Sequence, residues 1–314
     1  MLTDHELRAR LRRFWPGGVR WQAPMAALTT LKVGGPAQAL VMPGTRDEVT
    51  RLINGCRIEE IPCHIIGGGS NLLVADEGLA GLVIGLGRNF AGIGRIGEDQ
   101  CGRILVEVEA GCSLAGLLNW CADSALSGLE FAAGIPGTVG GAVVMNAGAW
   151  GREIKDVLAS LIWLSGGEAV RKARPELDFT YRCLRRPDDA VILSAVFTLA
   201  PGDRAAIRKL CREHVAARRS RQPKAYGLAG SFFKNPEGVA AGKLIEAAGL
   251  KGIVSGGAMV SERHANFIVN TGNATAADII RLMELVQARV WEVHRVRLEP
   301  EIKIAGGVTE KAAG

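Results

Sequence analysis

The chain has 314 residues, of which 48% are hydrophobic and 22% charged, and it carries a net charge of +6. It is long enough for two or three domains and too apolar for disorder, and no apolar run approaches the roughly 20 residues of a spanning helix. Glycine is unusually abundant at 41 residues, so the backbone must turn tightly or approach a ligand at many points. The excess positive charge points to an anionic partner, either nucleic acid or a phosphorylated small molecule.

The first segment, from Met1 to Phe14, reads as an amphipathic helix with Leu7, Leu11 and Phe14 on one face. It is too polar for a secretory signal. β-Rich runs come next at 37–42, 63–66, 81–84, 104–109, 157–164 and 190–199. Several are near-continuous and apolar, as strands buried on both faces would be. Helices are predicted over 45–56, which opens on Thr45 with Glu48 at capping-box spacing, and over 113–125, which opens on Ser113 and turns Leu114, Leu117, Leu118 and Cys121 inward. A basic helix over 203–219 lies in a basic stretch, 204–224, that ends at Gln222-Pro223, and we place a domain boundary at this stretch. A long helix over 275–294 aligns Ile279, Met283, Val286, Val290 and Val293 on one face.

Several motifs fail on context. Gly92–Gly97 fits G-x-G-x-x-G, but a polar turn and a strand come after it where a dinucleotide fingerprint needs a helix, so it reads as a glycine-rich loop. There is no phosphate loop of the G-x-x-x-x-G-K type and no G-x-S-x-G elbow. The five histidines lack metal-ligand spacing, so no metal site is expected. The seven cysteines contain no C-x-x-C pair and read as reduced thiols of a cytoplasmic protein. The basic stretch 204–224 contains no stacking aromatics, which favours a solvated face over a single-strand nucleic-acid patch.

Three glycine-rich segments carry more: Thr30–Ala37, Ile65–Val74 and Gly134–Gly148. The second runs from a buried strand into Gly67-Gly68-Gly69 and then Ser70-Asn71-Leu72. The third holds Gly134, Ile135, Pro136, Gly137, Thr138, Gly140, Gly141 and Ala142, then Asn146 and Gly148. Successive backbone N–H groups in such turns bind anions. Three such loops within about 120 residues favour one extended cofactor containing a pyrophosphate, with Val33 as its contact from the first loop.

With Tyr181-Arg182, Gly230-Ser231-Phe232-Phe233-Lys234-Asn235-Pro236, His264–Asn270 and Leu298-Glu299-Pro300-Glu301 added in this order, the chain resembles the UDP-N-acetylenolpyruvoylglucosamine reductase family over residues 20–306. The resemblance implies an α+β fold: a two-lobed FAD-binding domain of the vanillyl-alcohol-oxidase type, with lobes at 1–90 and 91–203, and a smaller α+β substrate-binding domain at 204–300. A last strand, 301–308, would return to the flavin end. The implied cofactors are FAD and NADPH. The implied reaction reduces the enolpyruvyl ether of UDP-N-acetylglucosamine to UDP-N-acetylmuramate for peptidoglycan synthesis, with hydride passing from flavin N5 to C3 and a proton to C2.

The resemblance also implies roles. Arg182 would face the substrate carboxylate and the developing enolate. Glu301 would complete that polarisation, either as a neutral acid or as a partner orienting Arg182, and Ser231 would protonate C2. Tyr181, Gln222, Lys234 and Asn235 would contact the substrate, with the arginines near Gln222 as further candidates. Two departures stand out. Arg295 replaces the glycine usually found before L-E-P-E, which leaves the local turn open. Residues 183–225 lack the tyrosine of the longer class, so the chain resembles the shorter class. An oxidase of the same fold and a basic nucleic-acid binder are the competing readings. Nothing in the sequence points to a membrane or an obligate protein partner.

Overall fold

The computed structural model describes residues 2–224 and 226–307. A four-stranded sheet comes first, in spatial order Arg20–Pro24, Pro36–Val41, Leu79–Gly85, Cys63–Ile66. Its last three strands are mutually parallel. The helix Arg46–Ile58 supplies the crossover between two of them and buries Val49, Leu52 and Cys56. The N-terminal helix is shorter than its sequence pattern, Asp4–Leu11. Phe14 lies beyond it and packs on Gly55, where a Cβ would come within 2.1 Å of its ring.

The second sheet is antiparallel and runs Glu168–Ala173, Leu158–Ser165, Val191–Pro201, Ile104–Glu109, Ile93–Glu98. Val191–Pro201 is central and buried on both faces, which explains its unbroken apolar run. The Gly92–Gly97 segment, read as a loop, is the exposed edge strand of this sheet, with a bulge between Arg95 and Gly97. An edge strand with a bulge tolerates glycine because it packs little. One large apolar core joins both sheets, from Leu7 and Val49 through Phe90 and Leu117 to Phe197.

A third, smaller sheet runs Gly227–Leu228, Ile268–Asn270, Ala258–Val260, Val254–Ser255. It packs against the helices Ala241–Ala247 and Ala276–His294 around Phe232, Phe233 and Ile279. On the long helix Ile279, Met283, Val286 and Val290 are buried, whereas Val293 is exposed, because the last turn runs past the sheet. Its N-terminus carries a Thr275–Asp278 capping box, and Asp76 of the first lobe accepts from Ala276 N at 2.8 Å and Ala277 N at 2.9 Å. At the other end Arg295 adopts the left-handed conformation, φ 57°. The departure from glycine therefore keeps the turn and strains the residue.

Two further placements differ from the sequence reading. The basic helix Arg204–Arg221, expected to open the third domain, packs on the second lobe instead. Arg204 and Arg208 pair with Asp123, and His214 meets the Glu130 carbonyl at 2.9 Å and stacks on Trp150. Ile207 is the one buried residue of this helix, and these polar contacts add to its seat on the second lobe. The returning strand spans Lys303–Ala305 and pairs in parallel with Leu72–Val74. Residue 308, the expected end of that strand, lies outside the described residues. Among the described residues no helix is long and apolar enough to cross a membrane.

Candidate active site

The sheets meet at a cleft of about 800 Å³, towards the upper end of the roughly 300–1,000 Å³ usual for small-molecule sites. Gly67, Gly68, Gly69, Ser70, Asn71 and Leu72 line one side, directly after the strand Cys63–Ile66. Ile135, Pro136, Gly137, Thr138, Gly140, Gly141, Ala142 and Gly148 line the other. The two loops interlock backbone to backbone: a Cβ on Gly68 would sit 2.7 Å from the Gly137 Cα. Gly69, at φ 60°, would drive a Cβ to within 2.0 Å of the Leu28 carbonyl oxygen. The second loop is stapled to the end of Ile104–Glu109 by Gly140 N to Ala110 O and Val139 N to Cys112 O, both 2.8 Å. A short helix, Val139–Val144, begins inside this loop. Its glycines concealed it from propensity reasoning.

This bare, rigid wall fits a flavin dinucleotide. Backbone can approach a pyrophosphate there, and Ile65, Leu86 and Ile192 offer apolar surface for a ring. Arg182, Arg186, Arg218, Arg221 and Lys303 line the cleft against only Asp188 and Glu301. The cleft therefore favours anions.

Arg182, Ser231 and Glu301 all line this one cleft. Arg182 occupies the two-residue turn between Asp178–Thr180 and Cys183–Arg185 at φ 57°, a strained conformation for a side chain of this size. Its Nε lies 3.4 Å from Glu301 Oε1. Burial pushes the Glu301 carboxyl above its usual range, although Arg182 and Lys234 pull the other way. Ser231 is fixed by the two residues after it, because Phe232 and Phe233 are buried anchors. Asn266 clamps them by accepting from Phe233 N at 3.0 Å and donating to Phe233 O at 2.8 Å. Glu301 N donates to Phe232 O at 2.8 Å, so the serine and glutamate segments run side by side. Asn71 Nδ2 donates to the Glu301 carbonyl at 3.0 Å, tying the glycine loop to the acid.

Other expected contacts lie elsewhere. Val33 is buried in the cluster around Phe232, Phe233 and Ile279 against the third sheet, and Gly134 sits under Arg218, where a Cβ would be 3.1 Å from its Cδ. Asn146 is fully buried and spent on protein: it donates to Glu153 Oε2 at 2.9 Å and Thr180 O at 3.2 Å, and accepts from Lys155 N at 3.2 Å. Tyr181 points outward, 44% exposed, with the Arg182 guanidinium over its ring. Lys234 pairs with Glu299, and Asn235 accepts from Ala241 N at 3.0 Å at the start of a helix. Of the four expected substrate contacts, Gln222 alone lines the cleft. The cleft also takes Trp150, His264 and Phe267, which sequence reasoning left out. Their signals were weak: an exposed tryptophan in a glycine turn and a His-x-x-Phe step inside the His264–Asn270 motif.

Residues 37–172 match the FAD binding domain family, and residues 222–305 match the C-terminal domain of UDP-N-acetylenolpyruvoylglucosamine reductase. The second match starts after the helix Arg204–Arg221, in keeping with that helix's contacts. A UDP-N-acetylenolpyruvoylglucosamine reductase of Syntrophus aciditrophicus is 43% identical over 98% of both chains. The chain belongs to the UDP-N-acetylenolpyruvoylglucosamine reductase family. Another family member, from Desulfosudis oleivorans, is 45% identical over 96% of this chain and 99% of its own. The family's crystal structure from Thermus caldophilus superposes with a TM-score of 0.76 at 38% identity, covering 91% of this chain and 98% of that one. The α+β fold read from the sequence thus agrees with a solved family member.

Proposed function

We propose that the protein uses NADPH and FAD to reduce the enolpyruvyl group of UDP-N-acetylglucosamine enolpyruvate to UDP-N-acetylmuramate, in the cytoplasm, as a step of peptidoglycan synthesis. The observation that carries this reading is the convergence of Arg182, Ser231 and Glu301 on one cleft walled by bare glycine backbone.

When bound, the flavin supplies a two-electron store that NADPH fills and the substrate's double bond empties. The chain supplies everything else. Gly67–Leu72 and Ile135–Ala142 would hold the cofactor, with the bare backbone of Gly67, Gly68, Gly69 and Gly137 letting it approach and Val139 N and Gly140 N fixing the second loop through the Cys112 and Ala110 carbonyls. Arg182 offers a planar fork to a carboxylate. Because Glu301 orients that fork from 3.4 Å, the positive charge is aimed where the enolate forms. Such preorganised charge is worth roughly 10²–10³-fold in rate for one donor. Ser231 delivers the proton to C2. A hydroxyl is a weak acid, but an enolate beside it in a site with little water is a strong base.

The substrate is a UDP-sugar, and the five cationic side chains lining the cleft suit its diphosphate and carboxylate. Gln222, which lines the cleft, contacts it. The outward Tyr181 and the paired Lys234 and Asn235 act one step back, by stabilising the turn of Arg182 and the loop after Ser231.

The test is spectroscopic. Purified protein should be yellow, bleach with NADPH and recover its colour on adding the enolpyruvyl nucleotide. In Ser231→Ala, bleaching should stay near normal while recovery slows by at least about 10²-fold, the scale of a lost general acid. Equal slowing of both halves would make the serine a shaping residue. Bleaching by small alcohols with the colour restored by oxygen, and no response to the nucleotide, would instead establish an oxidase.

A further inference from the structure

Arg218 stands out among the cations of the cleft. It projects from the helix Arg204–Arg221, and its Cδ lies against Gly134, whose φ of 80° excludes most side chains. The Nε is buried and has no hydrogen-bond partner, and among the described residues the guanidinium forms no ion pair. Elsewhere on the same helix the exposed Arg204 and Arg208 both find Asp123, and Arg221 lies over the Trp150 ring. The acid that could have answered Arg218, Glu301, is engaged by Arg182. Asp188, the other acid of the cleft, does not pair with it. Burial and the like charge of Arg182 both work against the Arg218 cation. A buried donor left unmade on a half-buried, unpaired charge is costly, so such an arrangement persists where a ligand completes it.

We propose that Arg218 is the second half of a two-arginine seat that holds the substrate's carboxylate jointly with Arg182. This rests on the reductase reading given above. The location favours the carboxylate over the diphosphate. Arg218 packs on Gly134 at one end of the Gly134–Gly148 segment, and at the other end a Cβ on Gly148 would meet Arg182 Nη1 at 3.2 Å, so both guanidiniums stand along one glycine segment of the cleft wall, with Arg182 beside Ser231 and Glu301. The chemistry gives the seat a purpose. When hydride adds to the terminal carbon, the π-electron pair moves towards the carboxylate and adds a second negative charge to it. Proton transfer to C2 then returns that pair to a C–H bond and restores the monoanion. Two guanidiniums therefore bind the charged intermediate more tightly than the substrate, which accelerates the reaction as well as binding its reactant.

The experiment compares the natural substrate with an analogue whose carboxylate is a carboxamide, both titrated into oxidised holoenzyme. Wild type should prefer the acid by about 10²-fold, and Arg218→Ala should reduce that preference to below about tenfold, with Arg218→Lys between them. The rate of substrate reduction at saturation should fall about 10²-fold in Arg218→Ala, while UDP alone and FAD bind as before. An undiminished acid preference in both variants overturns the assignment. So does a matching loss of UDP affinity, which would give Arg218 to the diphosphate. A matching loss of FAD affinity in the apoprotein overturns it too, by giving Arg218 to the cofactor's pyrophosphate. Should Arg218→Ala fail to fold, the lysine variant carries the same comparison. A wild type that does not distinguish acid from amide refutes the reductase reading itself, and this inference with it.

Discussion

Asn146 is the sharpest place to perturb this protein, because the sequence pattern and the structure assign it different work. Its side chain is fully buried and makes three hydrogen bonds, to Glu153, Thr180 and the Lys155 N–H. Replacement by alanine removes all three and leaves a backbone donor and a backbone acceptor without partners. At about 1 kcal/mol net per bond, with more for each group left orphaned, the loss should be about 3 kcal/mol. Urea unfolding followed by flavin and tryptophan signals reads this directly. The bond to Thr180 also holds the turn that carries Arg182, so the variant should slow reoxidation by substrate more than reduction by NADPH. Its affinity for FAD should change little. Asn146→Asp separates the contributions: it keeps the acceptor for Lys155 but turns a carboxylate towards Glu153 and the Thr180 carbonyl. It should be at least as unstable as the alanine variant above neutral pH. A stability loss under about 1 kcal/mol, or lost FAD affinity with substrate reduction intact, would refute the bracing role.

Three further outcomes are expected from the geometry. Arg295→Gly should stabilise the protein by about 1 kcal/mol, since the left-handed turn costs arginine about 1–2 kcal/mol and the contact with Trp291 that it gives up is weak; an unchanged or lower melting temperature would show that the turn is unstrained. Asp76→Ala should cost about 1–2 kcal/mol and raise hydrogen exchange at the start of the helix Ala276–His294, because both carboxylate oxygens cap it from another lobe; exchange raised evenly across the chain would count against a local clamp. Burial raises the Glu301 carboxyl above 4.5, so between that value and its raised one the folded chain holds more protons than the unfolded chain, and stability falls as pH rises through that window. Glu301→Gln should flatten that slope, and a slope unchanged in the variant would assign it to another group.

Much of the architecture is legible in the chain. The strands 63–66 and 104–109 appear where their apolar runs place them, and Ser113 and Thr275 cap the helices they were expected to cap. These are local matters, decided by periodicity, β-branching and side-chain oxygens a few residues away. The glycine loops were legible for the same reason: an absent side chain is visible before any fold is known.

The chain alone could not reveal which polar groups spend their capacity on protein and which keep it for a ligand. Asn146 and Asn235 look like ligand contacts in a motif, yet one is buried as a brace and the other accepts a backbone bond at the start of a helix. Arg218 looks like one more solvated arginine in a basic helix, yet its packing against Gly134 withdraws it from water beside Arg182. Hydrogen-bond satisfaction and desolvation depend on neighbours that lie far away in sequence, such as Gly134 for Arg218 and Arg182 for Glu301. Those pairings exist only once three sheets have closed around a single cleft.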